Sequence, residues 1–324
     1  MKRAHQPTTP PAVAELPPEV RPGQSVELLK ELHILTRDGK LNQDSRRKLK
    51  QVYHLYNFIE PLLKDVQRAV QLDGKPDGKP DVQPGQQGVS LVDHGAGKSY
   101  LGFILYDLFF KGLDDGAHIY GIETREELVQ KSTELAARLG FAGMSFLPLS
   151  VAESTTSNRL PATIDIVTAL HACNTATDDA IDFALKKKAK HMVLVPCCQA
   201  EIATVLRKNK GKDLGRSALT EIWRHPIHTR EFGSQLTNVL RCLQLEAHGY
   251  QVTVTELVGW EHSMKNELIV ATYKNLPRRR PAERLREVLA ELGLSELEQR
   301  FYTPRTELAD AASAANAADA VTPD

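Results

Sequence analysis

Between residues 90 and 273, short apolar runs alternate with amphipathic stretches, and the last two runs stand too close together for a crossover between them. The runs are Ser90–Asp93, His118–Glu123, Met144–Leu149, Asp165–Leu170, His191–Val195, Val252–Val258 and Leu268–Tyr273. Stretches such as "REELVQKSTELAARLG" and "DDAIDFALKKKAK" carry the spacing of amphipathic helices. This alternation predicts parallel strands joined by helices on both faces of a sheet. Only "GWEHSMKNE" separates the last two runs, so they are expected to pair antiparallel. The predicted architecture is α/β: a doubly wound, mostly parallel seven-stranded sheet with a C-terminal antiparallel hairpin.

The flanks read differently. Residues 1–24 are proline-rich and expected to be disordered. Residues 25–72 read as a helical segment, with Val52, Leu55, Tyr56, Ile59, Leu62, Leu63 and Val66 at helical spacing and Pro61 expected to kink the helix. "DGKPDGKPDVQPGQQG", residues 73–88, reads as a linker into a main domain at 89–276, which carries a basic insertion at 203–230. Residues 277–324 read as a helix and a disordered tail. Formal net charge is zero, so any affinity for nucleic acid must come from local patches. No run approaches the ~20 apolar residues of a membrane helix, and the N-terminus lacks the apolar core of a signal peptide. Cys173, Cys197 and Cys198 fall near strand ends and Cys242 in a helix pattern. That is no disulfide framework, and the expected compartment is the reducing cytoplasm.

The first strand runs into "SLVDHGAGKSYLGF", whose Gly97-Lys98-Ser99 matches the end of an ATP-binding loop. Such a loop needs a glycine five residues before Gly97, and that position is Val92, inside the strand. A Gly-x-Gly-x-x-Gly dinucleotide motif would need a third glycine at Tyr100. What remains is strand, Asp93-x-Gly95-x-Gly97, helix. Gly95 allows a tight turn and Gly97 a close backbone approach to a ligand. Asp93 would repel a pyrophosphate but suits a positively charged amino group, as in the methionine part of S-adenosylmethionine. The next strand ends at Glu123, a position from which a carboxylate can bond both ribose hydroxyls.

Ligands in open parallel sheets bind beyond the carboxyl ends of the strands. His171, Cys173 and Asn174 follow the fourth run, and Cys197, Cys198 and Gln199 follow the fifth. Neighbouring strands would gather them beside the glycine loop. His171 reads either as a general base or as a core histidine. Thr177 and Asp178 read first as helix caps, with Asp178 a second candidate proton acceptor. The cysteines read as small buried residues, as part of a methyl-transfer pocket, or as zinc ligands with His171. The last lacks the usual two-residue gap, so no metal site is expected.

"DHGAGKSYLGF", "LHACNTATDDAI", "VPCCQ" and "SMKNELIV" together resemble a family of class I S-adenosylmethionine-dependent methyltransferase domains, over residues 45–275. That family includes tRNA 2′-O-methyltransferases and a vertebrate protein with a glutathione-transferase-like domain. The resemblance implies a Rossmann-like sheet, S-adenosylmethionine as cofactor, and cofactor contacts at Asp93, Gly95, Gly97, Lys98, Glu123, Leu170 and His171. Ser99 stands where many methyltransferases have a third glycine. No Asp/Asn-Pro-Pro-aromatic motif follows the fourth strand, and no cysteine precedes Cys173 to build the N-terminal zinc module of the tRNA enzymes.

The expected activity is methyl transfer to RNA, with a catalytic set drawn from His171, Asp178, Asn174, Cys197, Cys198 and Gln199. Glu261 and Lys265 in the terminal hairpin are second-line candidates. Basic residues cluster at Arg46, Arg47, Lys48 and Lys50, at Lys186–Lys190, and from Arg207 to Arg230 around Trp223. The first and third clusters read as RNA contacts, with Trp223 stacking on a base. Lysines ending a helix, as at 186–190, also follow from the helix dipole alone. The rival readings are a protein or small-molecule methyltransferase and a non-catalytic binding module.

Overall fold

The computed structural model describes residues 16–73, 88–113, 116–170, 172, 174–196, 199–209, 218–257 and 267–302. Seven strands form one sheet: β1 (Ser90–His94), β2 (His118–Ile122), β3 (Met144–Leu147), β4 (Ile166–Ala169), β5 (His191–Leu194), β6 (Tyr250–Glu256) and β7 (Glu267–Tyr273). Their order is β3-β2-β1-β4-β5-β7-β6. β1 to β5 pair in parallel, while β7 runs antiparallel to both β5 and β6. The expected hairpin is therefore present, and its second strand lies inside the sheet, against β5.

β1, β4 and β5 are buried along their whole length, which is why they read as continuous apolar runs rather than alternating ones. β6 has a single neighbour and leaves Val254 half exposed, as an edge strand does. The strands at 144, 165 and 252 end one or two residues before their apolar runs do. Leu149 and Leu170, which those runs include, sit instead in the loops at the sheet's carboxyl edge.

The helices are α1 (Val26–Glu31), α2 (Gln43–Asp73), α3 (Tyr100–Leu108), α4 (Glu126–Arg138), α5 (Val151–Thr156), α6 (Ala176–Lys186), α7 (Glu201–Lys208), α8 (Pro226–Ala247), α9 (Arg279–Glu291) and α10 (Glu298–Phe301). α5 starts with a reciprocal cap, in which the Ser150 hydroxyl accepts the Glu153 N–H and Glu153 accepts the Ser150 N–H. Pro61 lies inside one continuous α2.

α2 is no separate unit. Its Leu55, Ile59, Leu63 and Val66 share one core with Leu91 of β1, Phe103 of α3 and Ile166 of β4. Asp65 of α2 also lies 2.9 Å from Lys190 and 3.1 Å from Nε2 of the buried His191. A second core, around Phe183 and Ile181, joins α6 to β4 and β5. A third packs α7, α8, α9 and α10 together and contains Trp223. Among the described residues no helix is long and apolar enough to cross a membrane.

Candidate functional site

The site begins where β1 turns into α3. Gly95 has φ 66° and Gly97 φ 58°, in the left-handed region that glycine adopts without strain. Ser99, with φ 52°, adopts the same conformation at the place of the third glycine. Gly97 presents its N–H to Glu123 Oε2 at 2.9 Å. Glu123 directly follows β2, and its carboxylate also accepts from the Arg125 N–H at 3.1 Å and from the Arg125 guanidinium Nε at 2.9 Å. The Arg125 side-chain hydrogen bond is the largest influence holding the Glu123 carboxyl down at about 2. Arg125 itself is largely exposed.

Asp93 is buried, and its one hydrogen-bond partner among the described residues is the Thr168 hydroxyl, which donates at 2.6 Å. With no cation beside it, burial pushes the carboxyl up to about 7. A buried acid in this state is a seat for a positive group.

These residues open on one cavity of about 720 Å³, within the range of small-molecule sites. Asp93, Gly95, Gly97, Lys98, Glu123 and Leu170 all line it. His171, the remaining expected cofactor contact, lies outside the described residues. Sequence reasoning missed the rest of the wall: Val52 and Leu55 of α2, Leu149 to Ala152 after β3, Arg125, and Asp179 of α6. The signal for Val52 and Leu55 was present as a helical stripe, which by itself speaks only of burial.

Of the expected catalytic set, His171, Cys197 and Cys198 lie outside the described residues, as do Cys173, Glu261 and Lys265. The other three share one network. Arg241 of α8 is fully buried and donates to Asp178 through Nε at 2.6 Å and Nη2 at 2.8 Å. It also reaches the Asn174 carbonyl at 3.0 Å and Asn238 Oδ1 at 3.3 Å. Gln199 donates to Asn238 Oδ1 at 2.5 Å, and Asn238 donates to Glu267 of β7 at 2.6 Å. Asp178, Asn174 and Gln199 do not line the cavity. Asp178 is the counter-ion of a buried guanidinium and is turned away from the cavity. The network instead ties the loops after β4 and β5 to α8 and β7.

The basic clusters also sort out. Arg46, Arg47, Lys48 and Lys50 are exposed on α2, and Lys48 stands one helical turn before the cavity-lining Val52. Trp223 is buried and stacked on Phe232 with ring centroids 5.1 Å apart, so its ring is not free to stack on a base. Lys210, Lys212 and Arg216 lie outside the described residues. Among the described residues no cluster of His, Cys, Asp or Glu could hold a metal.

Part of the chain is similar to known proteins. Residues 47–205 match the family model described as a methyltransferase domain, a span that runs from α2 through α7. A glutathione S-transferase C-terminal domain-containing protein of Xenopus laevis is 25% identical over 202 residues, 57% of this chain and 31% of the relative. The corresponding Bos taurus protein is 26% identical over 200 residues, 56% of this chain and 30% of the relative. The match thus spans about a third of the length of each relative. Among solved structures, magnesium protoporphyrin IX methyltransferase from Synechocystis PCC 6803 with bound SAH aligns at 16% identity and a TM-score of 0.38, covering 78% of this chain and 96% of that one. An rRNA methylase from Streptococcus thermophilus aligns at 13% identity and a TM-score of 0.34, covering 59% and 88%. Residues 47–205 thus match a methyltransferase domain, set in a mostly parallel, Rossmann-like sheet that ends in an antiparallel hairpin.

Proposed function

We propose that this chain is an S-adenosylmethionine-dependent methyltransferase and that its acceptor is RNA. The observation that carries the cofactor is the pairing, in one cavity, of a buried Asp93 with no cation beside it among the described residues and a Glu123 held at the glycine turn. The residues present fit the group. Asp93 would receive its ammonium, Glu123 its ribose hydroxyls, and the turn at Gly95 and Gly97 would let the backbone approach. Bound there, S-adenosylmethionine supplies a methyl group on a positively charged sulfur. For both Glu123 oxygens to reach the ribose, the exposed Arg125 guanidinium must turn outward, a small cost for a solvent-screened pair. Leu55, Leu149 and Val151 add apolar wall that excludes water from the reacting groups. Arg241 acts through Asp178 and Asn174, fixing the loop that follows β4.

RNA is supported by the exposed basic run on α2, because that helix also forms the cavity wall. An acceptor seated in the cavity would therefore have Lys48 and its neighbours at the entrance, where phosphates can bind. The burial of Trp223 supports a second reading, a small-molecule or protein acceptor, since it removes the stacking platform from the basic insertion.

Titration calorimetry tests the first step. Micromolar binding of S-adenosylmethionine, absent with ATP and lost in Glu123→Ala, is the expected result; no binding of the donor would overturn the reading. Incubation with methyl-labelled donor and total RNA then tests the acceptor. Label in RNA that declines steeply as salt rises supports the polyanion reading. Label in protein or small molecules moves the acceptor to the second reading.

A further inference from the structure

Five charged side chains among the described residues line the cavity: Asp93, Lys98, Glu123, Arg125 and Asp179. Glu123 and Arg125 neutralise one another. The other three have no counter-ion among the described residues that line it. Asp93 has only the Thr168 hydroxyl. Lys98 is exposed and makes no ion pair or hydrogen bond with a described residue.

Asp179 is the least expected of the three. It stands in the first turn of α6, on the cavity wall with Ala172 and Ala176, and its carboxylate has no hydrogen-bond partner among the described residues. Its neighbours on α6 are all committed, Asp178 to Arg241 and Asp182 to Lys186. Arg300 is near enough to act on Asp179 through space, but its guanidinium is paired with Glu201 at 3.3 Å. Partial burial pushes the Asp179 carboxyl up.

We propose that Asp179 is the residue by which this cavity distinguishes the methyl donor, with its sulfonium, from the product, whose sulfur is neutral. The inference rests on the S-adenosylmethionine reading above. The donor carries three charged groups: an ammonium, a carboxylate and a sulfonium. Asp93 complements the first and Lys98 the second, which leaves the sulfonium for Asp179. In the transfer the carbon–sulfur bond breaks and its electron pair stays on sulfur, giving a neutral sulfide. The acceptor's lone pair forms the new bond to carbon, and the acceptor's proton passes to water. The product therefore keeps the groups that Asp93, Lys98 and Glu123 hold and loses only the one that Asp179 attracts. An extra contact made to the donor and lost in the product eases exchange of spent product for fresh donor.

The test is titration calorimetry with S-adenosylmethionine and S-adenosylhomocysteine on the full chain, on Asp179→Asn and on Asp182→Asn, with thermal unfolding to show that each variant is folded. The wild type should prefer the donor, and Asp179→Asn should weaken the donor about fivefold to tenfold, the scale of one partly screened charge pair. Product affinity should stay within about twofold, and Asp182→Asn should change neither. Equal weakening of both ligands in Asp179→Asn would mean that the residue serves the shared ammonium, and would overturn the proposal. So would no change in either ligand, or an equal shift of the ratio in Asp182→Asn, which would make the effect a general field of α6. If neither nucleoside binds the wild type, the S-adenosylmethionine reading itself fails. Binding of both with an unaltered ratio sinks only the role of Asp179.

Discussion

At the residue scale, the site is built at the expense of the free protein's stability, and Asp93 shows the sign. Its carboxyl titrates near 3.8 when exposed and is pushed up to about 7 in the fold. Between those values the folded chain holds a proton that the unfolded chain has lost. Stability therefore falls as pH rises from about 4 to about 7, and above that the full cost of an ionised buried acid remains. Asp93→Asn removes this dependence. Its melting temperature should exceed that of the wild type by a widening margin from about pH 5 to about pH 8, while S-adenosylmethionine binding is lost. For the wild type, donor binding should tighten from about pH 5.5 to about pH 7 as the carboxylate forms. Parallel melting curves for the two proteins across that range would refute this account. Asp93 and Glu123 were legible in the sequence because a strand's end fixes where its last side chain goes. Arg125 was not, because nothing in "GIETREEL" says that the guanidinium folds back onto the preceding carboxylate.

At the element scale, "TDDAIDFAL" places two acids side by side, and helical geometry turns them about 100° apart. Which one faces the cavity is decided by α8, a helix more than fifty residues later, through Arg241. The sequence offers Asp178 first as a helix cap and, beside His171, as a candidate proton acceptor; in the structure Asp178 pairs with Arg241 and Asp179 lines the cavity. A single arginine inside the apolar pattern of "NVLRCLQLEA" was the available sign of a buried charge. Arg241→Met should leave Asp178 ionised and unpaired in the interior, at a cost of about 3–5 kcal/mol in denaturant unfolding. Adding Asp178→Leu should recover most of that loss, because the desolvated charge is then gone with its partner. If the double variant is no more stable than the single one, the pair is held by more than its own electrostatics. The strands illustrate the opposite case. Their apolar runs located all seven of them, most directly where a strand such as β4 or β5 is buried along its whole length.

At the scale of the whole molecule, the sequence reads as a helical segment, a linker and then a main domain. A Gly/Pro-rich stretch at 73–88 reads as a boundary whether or not the elements on its two sides pack together, and here they do. α2 buries Leu55, Ile59, Leu63 and Val66 in the same core as β1, α3 and β4, and its Asp65 binds His191 at the start of β5. Its Val52 and Leu55 then close one side of the cavity. Fold and site thus depend on the same helix, and the matched methyltransferase region begins within it, at residue 47. A chain starting at residue 88 should leave that apolar face of the sheet layer open, with the behaviour of a loosened core: dye binding to exposed apolar surface, a broad thermal transition and no donor binding. A chain starting at residue 16 should melt with the full-length protein, because the described contacts of α1 and α2 all remain. Supplying residues 16–73 in trans to the shorter chain separates packing from simple loss of sequence. Since the helix needs the sheet to bury its apolar stripe and the sheet needs the helix to close its cavity, the two pieces should recover cooperative melting and donor binding together. Recovery of one without the other would show that α2 stabilises the fold and shapes the site through different contacts.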